Sequence, residues 1–150
     1  MRSVGLTFRA AVVLGVFGLS AAHAVDPAAM IKYRQNTMKA AAGHMAALSA
    51  IVKDDVGLRT HLPGHASAIA ETAAMVSDLF PKGSEAGETD ALPAIWEKPA
   101  EFSRAAEAAR ASGAKLATAA RAQNLEAVKA AQAELGGACK GCHEAFRRKK

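Results

Sequence analysis

Cysteine is scarce in this chain: 150 residues hold two, Cys139 and Cys142, both within the last dozen positions. No further thiol exists to complete a structural zinc set, which needs four ligands. Aromatic residues are as thin, with one Trp, one Tyr and five Phe making up 5% of the chain. β-Branched residues are also few, while Ala supplies about a quarter of all positions. That balance favours helix throughout. Enzyme signatures are missing: no paired carboxylates for acid–base chemistry, no Ser/His/Asp order, no Gly-rich phosphate loop. Basic residues interleaved with aromatics along one face are absent too, which removes the nucleic-acid reading.

What the chain does have is Cys139-Lys140-Gly141-Cys142-His143, the pattern C-x-x-C-H, followed by Glu144-Ala145-Phe146 and the basic end Arg147 to Lys150. Two thiols at this spacing can add across the two vinyl groups of one haem, and the adjacent His can ligate the iron. A thioredoxin-like C-x-x-C would follow a strand and open a helix, and nothing upstream has that form. A Cys139–Cys142 disulfide would close a tiny loop, with poor geometry if the segment is helical. Covalent haem attachment is the reading that fits.

The start of the chain agrees with export. Residues 1–24 carry Arg2 and Arg9, an apolar run from Ala10 to Leu19, and Ala22-His23-Ala24 as an A-x-A cleavage site. The apolar run is shorter than the about 20 residues that a spanning helix requires. No later stretch is apolar enough to anchor the chain. Cleavage after Ala24 is expected to leave one domain, residues 25–150, delivered to a bacterial periplasm with no membrane anchor and no nucleic-acid partner. Losing Arg2 and Arg9 lowers the formal charge from +5 to +3, and the two haem propionates would bring it near neutral.

Four segments repeat apolar residues at helical spacing. The first opens at Asp26-Pro27, an N-cap with Pro at the first helical position, and its stripe runs Ile31, Arg34, Met38, Ala41, Met45, Leu48, Val52. The second carries Leu62, Ala66, Ile69, Ala73, Val76 and Phe80 and stops at Pro81. After a Gly-rich, acidic loop from Lys82 to Leu92, the third runs from about Pro93 to Ala122, with Pro99 expected to kink or restart it. The fourth runs from about Leu125 to Arg148, with Asn124 as N-cap. Such a pattern predicts an all-α, antiparallel, up-down-up-down four-helix bundle.

The fourth segment places Leu125, Val128, Gln132, Leu135, Cys139, Cys142 and Phe146 on one stripe, so both thiols face the core. Cys139 and His143 are i, i+4 neighbours. Gly136-Gly137 costs helix propensity but lets a macrocycle approach the backbone. A haem in the interior would also let so alanine-rich a chain complete a core.

This combination resembles the class II cytochromes c, the cytochrome c′ family, whose members are themselves known examples of the bundle. The resemblance spans the whole mature chain. Besides the pentad it includes Tyr33-Arg34-Gln35 with Met38, Leu79-Phe80-Pro81, and Ala94-Ile95-Trp96. It implies one haem c held by Cys139 and Cys142 with His143 as proximal ligand. Arg34 and Gln35 would lie against the propionates, with Thr89 and Asp90 near the haem edge. Arg147 would sit beside the proximal imidazole and temper its basicity. It further implies a homodimer through the first two helices.

By the same resemblance, Met38 points at the distal face of the iron. As a ligand it gives a six-coordinate electron carrier serving periplasmic redox partners; as a blocking residue only, it leaves five-coordinate iron that binds nitric oxide or carbon monoxide. Ligation is the favoured reading. Met45 reads as packing, Met30 and Met75 as packing or surface. His44 should point away from the Met38 stripe, and His61 and His65 read as a solvated i, i+4 pair.

Overall fold

A computed structural model describes residues 26–53 and 56–149; residues 1–24, where an export leader is expected, lie outside them. Five helices follow in order: α1 Pro27–Lys53, α2 Leu62–Met75, α3 Ala94–Glu97, α4 Pro99–Arg121 and α5 Leu125–Phe146. The four long ones form the expected bundle, and the described residues contain no strand. α2 packs on α1 and α4, and α4 on α5. α1 and α5 meet more sparsely and are linked by the Gln132 amide, which donates to Ser49 Oγ.

Local chemistry sets the ends. Asp26 Oδ1 accepts from the Ala28 N–H at 3.1 Å, and Asn124 Oδ1 accepts from the Ala127 N–H at 3.0 Å. Both caps satisfy donors that the first helical turn leaves unpaired. Pro99 does restart its segment: the chain breaks at Lys98, and Pro99 begins α4 where its missing N–H costs nothing. The second segment differs from expectation by tightening to a 3₁₀ turn over Val76–Leu79 before Pro81. α5 ends at Phe146, two residues short of expectation, because Arg147 is extended and bridges Ala91.

Small side chains decide how closely the helices approach. A Cβ added at Gly113 of α4 would lie 3.2 Å from the Ala70 backbone and 3.3 Å from the Ala73 side chain on α2. The described core divides into two apolar clusters. The larger is built on Leu48, Leu62, Leu116, Val128 and Leu135. The smaller contains Val76, Ile95, Phe102, Ala106 and Phe146.

Two outcomes follow for denaturant unfolding. Asn124→Ala should lower stability by about 1 kcal/mol through loss of the α5 cap. Gly113→Leu should cost about 1–3 kcal/mol by forcing α2 and α4 apart, with Gly113→Ala well below it.

Haem-attachment site on the last helix

The two thiols of α5 stand at the junction of the apolar clusters. Cys139 packs against the larger and Cys142 against the smaller, and both side chains are half-buried. Their i, i+3 spacing on a helix puts them on one face. A Cβ built at Gly136, Gly137 or Gly141 would meet no atom within 4 Å, so the backbone around the thiols borders open space. An open groove of about 370 Å³ runs past Gly136, Cys139 and His143 and is rimmed by Lys140, Glu144, Arg147, Arg148 and Lys149.

The state of the three groups suits the chemistry that the pattern implies. Burial pushes the Cys139 thiol above its ordinary pKa, and burial followed by the proximity of Cys139 does the same to Cys142. Both thiols therefore keep their S–H at neutral pH, available to add across a vinyl group with sulfur to one carbon and hydrogen to the other. Burial, and secondarily the Arg147 guanidinium, hold His143 below the ordinary imidazole value. A neutral ring offers a lone pair to a metal. Arg147 is one turn on, its backbone N–H donating to the His143 carbonyl at 3.1 Å.

Met38 of α1 is half-buried against the smaller cluster, the one that also receives Cys142. α1 thereby brings a thioether to the end of the bundle that carries the pentad. Trp96 and Phe80 close the same cluster: their rings meet edge to face at 6.1 Å between centroids, and the indole N–H donates to the Phe80 carbonyl at 3.0 Å.

Arg34 is nearly sealed, at 3% exposure. Its guanidinium donates to Ser84 Oγ at 2.9 Å, to the Ser84 carbonyl at 2.9 Å and to Thr89 Oγ1 at 2.8 Å. It also lies 5.0 Å from the Phe80 ring centre and 5.8 Å from that of Trp96. Burial lowers its pKa, partly offset by Glu85. Gln35 is exposed and donates to the Glu88 carbonyl at 2.8 Å. The Asp90 carbonyl accepts from the Arg148 N–H at 2.7 Å, and the Leu92 N–H donates to the Phe146 carbonyl at 2.9 Å.

The four polar residues named from the resemblance thus converge on the segment between Pro81 and Leu92. Ser84, 2% exposed, was not anticipated. A signal for it existed: Pro81-Lys82-Gly83-Ser84 is a turn sequence, and Gly83 adopts φ +90° with the Ser84 N–H returning to the Pro81 carbonyl. Of the remaining histidines, His61 is exposed, whereas His65 turns to α1 and meets His44 with Nδ1 atoms 3.0 Å apart. The expected solvated His61–His65 pair is therefore not formed. The i, i+4 spacing was real, but the packing of α2 on α1 offered His65 a nearer partner.

The residues present fit a covalent haem: two thiols and a neutral imidazole on one helix, apolar walls on either side of the thiols, and open backbone at three glycines. Comparison with known proteins agrees. Residues 29–147 match the family described as Cytochrome C'. The chain is 40% identical over 123 residues to cytochrome c' of Pararhodospirillum photometricum, covering 81% of this chain and 98% of that one. It is 36% identical over 142 residues to cytochrome c-556 of Agrobacterium fabrum (strain C58), covering 90% and 92%. Its fold superimposes on a nitric oxide complex of a cytochrome c prime mutant from Alcaligenes xylosoxidans with a TM-score of 0.78 at 31% identity, covering 84% and 98%. The chain therefore belongs to the cytochrome c′ family, and it is a monohaem c-type cytochrome whose haem is joined covalently through Cys139 and Cys142.

Proposed function

We propose that this protein is an exported, periplasmic electron carrier in which His143 is the proximal and Met38 the distal iron ligand. When bound, the haem supplies a one-electron iron couple and an axial position whose occupant sets the chemistry. The observation that carries the reading is the shared cluster: Met38 from α1 and Cys142 from α5 pack on the same apolar residues. His143 offers a neutral nitrogen, and a Met thioether is a soft axial donor that raises reduction potential. Phe102, Phe146 and Ile95 keep water from that end of the bundle. Arg34, Gln35, Thr89 and Asp90 hold the loop beside it, with Arg34 and Gln35 toward the propionates and Thr89 or Asp90 near the haem edge, and Arg147 tempers the proximal ring. Residues 1–24 act as the leader and residues 25–150 as the haem domain, which pairs through α1 and α2.

A second reading has its own support. A solved relative, a mutant, is a nitric oxide complex, and an open iron position favours that chemistry. In that case Met38 only crowds the distal side, and the protein sequesters or reports the gas.

Optical spectra separate the two. The carrier reading expects a low-spin ferrous spectrum that carbon monoxide leaves unchanged. Met38→Ala should turn the iron high-spin and raise carbon monoxide affinity by at least about ten-fold, roughly 1.4 kcal/mol of competing ligation removed. A wild-type spectrum that is high-spin and shifts on adding the gas would establish the second reading instead. Export is checked separately: the periplasmic fraction should yield a red protein whose chain begins at Val25 and whose mass includes one haem.

A further inference from the structure

His44 on α1 and His65 on α2 form a contact that neither haem attachment nor electron transfer uses. Their Nδ1 atoms are 3.0 Å apart, and their rings are tilted by 54° with centroids 5.3 Å apart. Two neutral imidazoles can share one proton in this arrangement. The same spacing suits a metal. With metal–nitrogen bonds of about 2.0–2.1 Å, two ligands at a right angle stand about 2.9 Å apart, and tetrahedral ligands about 3.3–3.4 Å. The observed separation lies nearer the first value, which belongs to tetragonal ions such as Ni²⁺ and Cu²⁺.

The pair is also held in place. Leu48, one turn after His44, is fully buried, and Ala66 and Ile69 beside and one turn after His65 are sealed in the same cluster. The helix backbones that present the two rings are thus fixed by core packing, so little ordering remains when an ion binds. In the single chain both residues are half-buried, so the pair is partly accessible to solvent, which would complete the coordination. Among the described residues no third His, Cys, Asp or Glu completes a larger cluster, so these two rings are the protein ligands of the site. His44 stands six residues beyond Met38, about 9 Å along α1 and about 120° around it, which separates the pair from the iron.

We propose that His44 and His65 constitute a two-histidine site for a divalent transition ion, Ni²⁺ or Cu²⁺, that clips α1 to α2. Binding moves the shared proton to an Nε2 position and directs both Nδ1 lone pairs at the ion, with no change of oxidation state. Untagged holoprotein titrated with NiCl₂ by calorimetry should bind one equivalent. His44→Gln and His65→Gln should each weaken binding by at least about ten-fold, because loss of even an outer-shell partner of a metal ligand costs that much. His61→Gln, on the exposed turn before α2, should leave it unchanged. Ni²⁺ should also raise the thermal midpoint of the wild type, because an ion that binds only the folded chain stabilises it, and a chelator should reverse the rise. A measurement without variants reads the same site: Ni²⁺ should protect His44 and His65, and not His61, from diethyl pyrocarbonate. Absence of saturable binding would overturn the proposal. So would unchanged affinity in His44→Gln, or a loss in His61→Gln equal to that in His65→Gln, which would assign the ion to the i, i+4 pair instead.

Discussion

The structure depends on α5 presenting two thiols at the seam between two apolar clusters. Cys139 touches one cluster and Cys142 the other, so the helix spans the division of the core. That division has a compositional origin. Alanine is the best helix former but removes little apolar area from water, so helices rich in it pack closely without filling the interior. Gly113 shows the first consequence, since α2 and α4 approach until an added methyl would lie 3.2 Å from the Ala70 backbone. The half-buried thiols left at the seam between the two clusters show the second. A large planar apolar cofactor suits a bundle built in this way.

Arg34 is the second organising element. A buried guanidinium is costly unless its donors are met, and here Ser84 and Thr89 meet them while Phe80 and Trp96 face its cation. The result ties the Gly-rich connection to α1 at the end of the bundle where Met38 and Cys142 also lie. The same connection is tied to the chain's end through Asp90 with Arg148 and Leu92 with Phe146. These two links place the connection beside the haem-bearing end of α5, and the one bridge at Arg147 explains why that helix stops where it does.

Much of this was legible in the residues. The helix starts at Pro27, Pro99 and Leu125 were readable because Asp, Asn and Pro act locally, through hydrogen bonds or a fixed φ, within one turn of where they stand. The core stripes followed from period alone, and Leu48, Ile69, Val128 and Leu135 are all buried as the spacing required. Less legible was the irregular segment from Lys82 to Leu92. Its conformation is set by Arg34, about fifty residues earlier, and no local rule carries that information. Thr89 and Asp90 were named through resemblance; the Thr89 hydroxyl accepts from Arg34, and the Asp90 carbonyl accepts from the Arg148 N–H.

The sequence by itself determined the chemistry of attachment, because C-x-x-C-H needs only the pitch of one helix to align two sulfurs and an imidazole. It also determined that four amphipathic helices would bury one stripe each. Only the tertiary structure decided which distant side chains share a neighbourhood: Met38 with Cys142, Arg34 with Ser84 and Thr89, His44 with His65 rather than His65 with His61. The physical reason is range. Helical periodicity is fixed by bonds four residues apart, whereas these pairings depend on how whole helices rotate and slide when their stripes pack, which no single segment specifies.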